Sequence, residues 1–233
     1  MSRSTPLPHP SGGVVTATPE LYEERVAALE RDLMSPAPQG VVVLAGSSVM
    51  QDWEASGAEL APLRTVNVGI AGTRVGDQAA FVKRLVYPFR PRALVLYVGS
   101  NNITGVAEQS QRPESVVAEL LDYFDLVHVR YPGLPIYYVG INEAPVREPV
   151  HDDIRRANGM IAAHAASTAS IRFIDTSRAF LGADGHIDES LFLEDRLHLN
   201  ERGYRRFAAP IREALLRDLH GDVPRAADVD STV

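Results

Sequence analysis

Cysteine is absent from the 233-residue chain, lysine occurs once, at Lys83, and tryptophan once, at Trp53. Without a thiol there is no disulfide framework, no zinc knuckle, no iron–sulfur cluster and no cysteine nucleophile, so any covalent catalysis uses another side chain. A lysine Schiff base is open to Lys83 alone. Basic residues are outnumbered 23 to 30, for a net charge of −7 with histidine neutral, which argues against a nucleic-acid-binding surface. No apolar run reaches the roughly eighteen residues of a membrane helix. The opening MSRSTPLPHPSGG lacks the apolar core of a secretory signal. These absences lead us to expect a cytoplasmic protein with neither nucleic acid nor membrane as partner.

The composition, 45% hydrophobic, supports one large domain that folds without a covalent staple. Residues 1–17, rich in Ser, Pro, Gly and Thr, read as a mobile leader, 18–221 as the domain and 222–233 as a polar tail. Thr18 is a plausible N-cap and Pro19 suits the first helical position. Leu21, Val26, Leu29 and Leu33 then give an amphipathic stripe ending near Met34. Beyond the SPAPQG break, apolar runs at 41–45, 65–70, 93–98, 136–139 and 171–174 are continuous rather than alternating, as in strands of a parallel sheet buried on both faces. Helical spacing fills 75–85, 113–129 and 154–166, and a final helix opens near Asn200 and stops at Gly221. Strand then helix, repeated, predicts a single three-layer α/β/α domain around a mainly parallel sheet of about five strands.

Open α/β sheets bind ligands at the carboxyl ends of their strands, so the residues after each run carry the chemistry. These are Gly46-Ser47-Ser48, then Gly69-Ile70-Ala71-Gly72-Thr73-Arg74, then Gly99-Ser100-Asn101-Asn102, then Asn142-Glu143 with Arg147 beyond. Late in the chain, Asp195-Arg196-Leu197-His198-Leu199-Asn200 precedes the last helix. The set supplies a serine, a carboxylate three residues before a histidine, and glycine and asparagine donors on separate loops. A hydroxyl nucleophile needs a base, the base needs an orienting group, and the developing oxyanion needs preorganised donors.

These blocks, in this order from about Val41 to about Tyr204, resemble those of the SGNH or GDSL-type serine hydrolases, which include thioesterases, lipases and carbohydrate acetylesterases. The resemblance implies a flavodoxin-like fold and the following roles. Ser48 falls at the nucleophile position, Asp195 and His198 complete a triad, and Ser48, Gly72 and Asn101 form the oxyanion hole. Two residues depart from the family pattern: Ser47 and Asn102 stand where it usually has aspartate. Both changes remove a charge without touching a proposed catalytic atom, and they resemble a bacterial branch in which GSS precedes a hydrophobic residue and a Trp, here Val49 and Trp53. The expected substrate is a small-molecule, short-chain ester, such as an acetyl group on a sugar or metabolite, cleaved without a cofactor. An acyltransferase with the same triad and a catalytically silent binding module are the rival readings.

Each residue also has a plainer use. Ser48 could cap a helix, the glycines could serve turns, Asp195 and His198 could be surface residues before a helix capped by Asn200, and Trp53 is expected in packing. Arg74, Glu143 and Arg147 are candidate substrate contacts, the arginines suiting an anionic or polyhydroxy group. Alternatively, Arg74 pairs with Asp77, and Arg147 with Glu143 or Glu148. Gly46-Ser47-Ser48-Val49-Met50 is not the G-x-S-x-G elbow of an α/β-hydrolase. The leading G-x-G of a dinucleotide site is missing before Gly72. His186 with Asp184 and Asp188 reads as a turn rather than a metal site.

Overall fold

The computed structural model describes residues 17–219. The expected tail, the Gly221 stop and all of the expected leader except Ala17 lie outside the described residues. A short 3-10 turn, Pro19–Tyr22, leads into α1, Glu23–Leu33. Thr18 precedes that turn as expected, but its side chain makes no capping bond; its amide instead donates to Asp77 at 2.6 Å.

Five strands follow in alternation with helices: β1 Val42–Gly46, β2 Thr65–Asn67, β3 Ala93–Tyr97, β4 Ile136–Val139 and β5 Ile171–Ile174. The helices are α2 Ser48–Gln51, α3 Ser56–Glu59, α4 Val75–Leu85, α5 Pro113–Arg130, α6 His151–Ser167 and α7 Glu201–Leu219. All four strand pairs are parallel, in the order β2-β1-β3-β4-β5, with Val42 opposite both Thr65 and Ala93. After β1 the chain adds β2 on one side and then returns to lay β3 on the other. The connections therefore diverge on either side of β1, the topological switch point where such sheets open a crevice.

Alternate residues of each strand enter opposite cores, which is why the apolar runs are continuous. Val43, Ala45, Leu94, Leu96 and Tyr138 face a layer that includes Val26 of α1, Phe81 of α4, Leu120 of α5 and Ile161 of α6. Val42, Leu44, Val95 and Tyr137 face Trp53 and the Phe207, Ile211 and Leu215 stripe of α7. Trp53 is a packing residue, as expected: it is 1% exposed, stacks on Tyr204 at 6.4 Å, meets Phe207 edge-on at 5.3 Å and donates to Glu59 at 2.6 Å. Arg84 clamps α4 to α1, reaching Glu23 at 2.8 Å and Glu30 at 2.6 Å.

Among the described residues no helix is long and apolar enough to cross a membrane.

Candidate active site

The turn after β1 is forced by close packing. Gly46 has φ +147°, and a Cβ there would lie 2.0 Å from the Tyr97 carbonyl oxygen of β3. Only glycine lets the two strands close at this point. The Ser47 amide donates to that same carbonyl at 3.0 Å, and the next residue, Ser48, starts α2 half-buried. As the first residue of a helix, Ser48 has no acceptor for its N–H within the helix.

The loop after β2 is held against this turn. Ala71 donates to Gln51 Oε1 of α2 at 3.0 Å, and Gln78 Nε2 bridges the Gly46 carbonyl and Thr73 Oγ1, each at 2.8 Å. Gly72 takes φ +82°, and its carbonyl accepts the Tyr22 hydroxyl at 3.0 Å. The loop after β3 is locked onto the same segment by two adjacent side chains. Asn101 Nδ2 donates to the Thr73 carbonyl at 3.1 Å, and Asn102 Oδ1 accepts the Val75 amide at 3.2 Å. Asn102 is fully buried and also donates to Gln111 and Glu119, so this amide uses both its donor and its acceptor ends.

The third element comes from far along the chain. Residues 192–199 form a tight loop closed by the Phe192–Leu199 bridge and by the Leu193 amide donating to the His198 carbonyl at 2.8 Å. Arg196 turns it with φ +56°, an uncommon conformation for a residue with a Cβ. That turn lets Asp195 Oδ1 accept both the Leu197 amide at 2.9 Å and the His198 amide at 3.0 Å, while Oδ2 accepts His198 Nδ1 at 2.6 Å. The other ring nitrogen, His198 Nε2, lies 3.0 Å from Ser48 Oγ, across 150 positions of sequence. Burial alone would raise the Asp195 pKa. The hydrogen bonds from the His198 ring and amide and the Leu197 amide outweigh it and bring it down to about 2. An ionised carboxylate, an imidazole and a hydroxyl thus stand in one hydrogen-bonded line, able to move the hydroxyl proton onto the ring. Asn200 caps α7 directly behind, accepting from Arg202 at 3.0 Å and Gly203 at 3.1 Å.

The other candidate residues fall nearby with different partners. Arg74 sits at the N-cap of α4, but Asp77 accepts its backbone amide at 2.9 Å rather than its guanidinium, whose Nη1 is buried without a partner among the described residues. Glu143 is bound by Arg155 at 2.8 Å and lies 3.7 Å from His151. Arg147 instead donates to the Thr104 carbonyl at 2.7 Å. The expected ion pairs Arg74–Asp77, Arg147–Glu143 and Arg147–Glu148 are therefore not formed: Asp77 is taken by backbone amides, Arg147 reaches a loop carbonyl, and Glu143 has a competing arginine one helical turn into α6. Asp184 and Asp188 accept from the neighbouring His186 and Ser190 amides, and no metal-binding cluster of three or more His, Asp or Glu occurs among the described residues. Gln51, Gln78 and Tyr22, which fix the glycine loop, had no local signature in the sequence. Hollow size does not mark this site: a hollow of about 850 Å³ between α3 and α7, lined by Glu59, Ala208 and Arg212, includes none of Ser48, Asp195 and His198.

A parallel α/β sheet with a serine, histidine and aspartate joined at its carboxyl edge has the architecture of an ester hydrolase. The chain belongs to the GDSL-like lipase/acylhydrolase family, whose profile matches residues 20–206, and it is an ester-hydrolysing enzyme of that family. It is 26% identical over 184 residues to human platelet-activating factor acetylhydrolase IB subunit alpha2, covering 76% of each chain. To the bovine alpha1 subunit it is 30% identical over 169 residues, 69% of this chain and 67% of the relative. Among solved structures it resembles a GDSL-like lipase from Bacteroides thetaiotaomicron, with TM-score 0.64 and 17% identity over 86% of this chain and 98% of the other. It also resembles a catalytic mutant of an acetylxylan esterase from Geobacillus stearothermophilus, with TM-score 0.62 and 18% identity over 83% and 100%.

Proposed function

We propose that this enzyme hydrolyses a short-chain acyl ester, an acetyl ester in the first instance, through an acyl-serine intermediate on Ser48. His198 Nε2 takes the Ser48 proton as Oγ bonds to the ester carbonyl carbon. Asp195 holds the ring in the tautomer that leaves Nε2 free to accept and stabilises the imidazolium that forms. The carbonyl oxygen, now an anion, is met by the Ser48 and Gly72 amides and by Asn101 Nδ2, one of whose two hydrogens is already spent on Thr73. His198 passes its proton to the leaving alcohol as the ester bond breaks. Water then loses a proton to His198 and attacks the acyl group, and the acid leaves as Ser48 recovers its hydrogen. The Ser48 proton thus leaves with the alcohol, and a proton from the water replaces it, so the enzyme is regenerated as the water is consumed.

The observation that carries this reading is the line from Asp195 through His198 to Ser48, at 2.6 and 3.0 Å. The acetyl preference is supported by relatives named as an acetylhydrolase and a fold neighbour named as an acetylxylan esterase. It is tested with aryl esters of increasing acyl length and one leaving group. Specificity should fall steadily beyond the shortest acyl chains, and a maximum at long chains would contradict it.

A further inference from the structure

One cation beside this cleft is not used by the chemistry above. Arg147 lies in the 3-10 segment Pro145–Val150 that follows β4. Its chain neighbour Val146 donates to the Arg196 carbonyl at 3.1 Å, next to Asp195, and Arg147 Nη1 donates to the Thr104 carbonyl, three residues beyond Asn101. The backbone of this segment is thereby tied to the loop that carries His198, and its guanidinium to the loop that carries Asn101.

Nothing among the described residues neutralises it. Two other arginines are bound by two carboxylates each, Arg84 by Glu23 and Glu30, and Arg155 by Glu143 and Asp152. Among the described residues Arg147 has no such partner; its one acceptor is the Thr104 carbonyl, and its Nε is buried with no partner at all. Burial pulls its pKa below the ordinary arginine value, with the nearby Tyr97 hydroxyl opposing. A half-buried, unneutralised charge is costly to keep, and an incoming anion would offset that cost. With Nη1 committed to Thr104, the Nε–Nη2 edge is left without an acceptor, and an anion would meet Nη2 first because Nε is covered.

We propose that Arg147 recognises an anionic group on the alcohol half of the ester, so that the substrate is a short acyl ester of an alcohol bearing a carboxylate or phosphate. The proposal rests on the catalytic reading above, which also assigns the half of the substrate. A short acyl group such as acetyl carries no anion, so the anionic group belongs to the alcohol. A guanidinium fork fits either anion, and a lysine would supply only a point charge.

The test uses phenyl acetates carrying a meta carboxamide, carboxylate or phosphate, with the full-length enzyme and its Arg147→Met and Arg147→Lys variants. For each anionic ester, kcat/KM is divided by that for the carboxamide. Comparing this ratio between enzymes cancels the esters' intrinsic reactivity. Arg147→Met should lower the ratio at least about tenfold, chiefly through KM, with the carboxamide rate within about threefold of wild type and Arg147→Lys intermediate. The larger of the two drops distinguishes phosphate from carboxylate. An equal loss on all three esters, as a purely structural role through Thr104 would give, overturns the proposal. So does an unchanged ratio. Binding of the anionic acetates to Ser48→Ala, followed by calorimetry, supplies a readout free of turnover. Affinity there should depend on Arg147, and affinity that is indifferent to Arg147 overturns the proposal. Wild-type turnover by Ser48→Ala would instead bring down the catalytic reading itself.

Discussion

Two adjacent serines stand in opposite situations. Ser48 Oγ meets His198, whereas Ser47 is fully buried and its Oγ finds no partner among the described residues. Ser48→Ala should cost about three or more orders of magnitude in turnover with the fold intact, because members of such a set act as a unit. Ser47→Ala should leave turnover within a few-fold and melting temperature unchanged or slightly higher, since it removes a buried polar group that is not hydrogen-bonded. Steady-state kinetics and thermal melts on both variants check the pair; a larger kinetic loss at Ser47 would place the nucleophile one residue earlier. Asp195 makes a separate statement about pH. Its folded pKa, about 2, lies below that of an unfolded aspartate, so its contribution to stability is present above about pH 4 and is lost as pH falls toward 2. Above about pH 4 Asp195 stays ionised, so the carboxylate adds no second proton to the acid limb of the activity profile. The acid limb of log kcat/KM should therefore have a slope of one. A slope of two in a pH–rate profile would mean that the carboxylate titrates with the ring.

At the scale of elements, the site depends on strands closing more tightly than side chains would allow. Gly46→Ala would drive a methyl carbon into the Tyr97 carbonyl and force an unfavourable φ, so β1 and β3 must part at the point from which Ser48 is presented. A loss of about 2–4 kcal/mol in stability is expected from denaturant unfolding, with activity falling further than the unfolded fraction explains. Asn200→Ala removes the cap of α7 along with its side-chain bonds to the Ser190 and Phe192 carbonyls. It should cost about 1 kcal/mol and loosen the loop that carries His198, raising that loop's amide exchange. Legibility in the sequence varied with how local the cause is. Helix α4 matches its expected span, 75–85, and β4 and β5 match theirs, because apolar spacing and flanking glycines are chain-local signals. Of the run at 65–70 only Thr65–Asn67 forms the strand proper, although the Val68 and Ile70 amides still donate to the Leu44 and Gly46 carbonyls of β1 at 2.8 and 2.9 Å. The single-turn helices α2 and α3 carry too few residues to show a period.

Across the whole molecule, the sequence is most informative where a motif holds its own parts and least informative where partners are chosen at a distance. The Asp195–His198 spacing could be read directly, since one turn of backbone delivers both groups. Strand order could not, because a buried parallel strand shows the same apolar run wherever it sits in the sheet. Nor could the partner of Glu143: Arg147 is the nearer arginine in sequence, and only the packing of α6 against β5 and the preceding segment brings the more distant Arg155 to it instead. The most direct test of the central claim is reaction with a fluorophosphonate, followed by peptide mass spectrometry to find the modified residue. One equivalent should attach to Ser48 in step with loss of esterase activity, Ser48→Ala should not label, and His198→Ala should label far more slowly. Stoichiometric modification of another serine, or full inhibition with Ser48 unmodified, would contradict it.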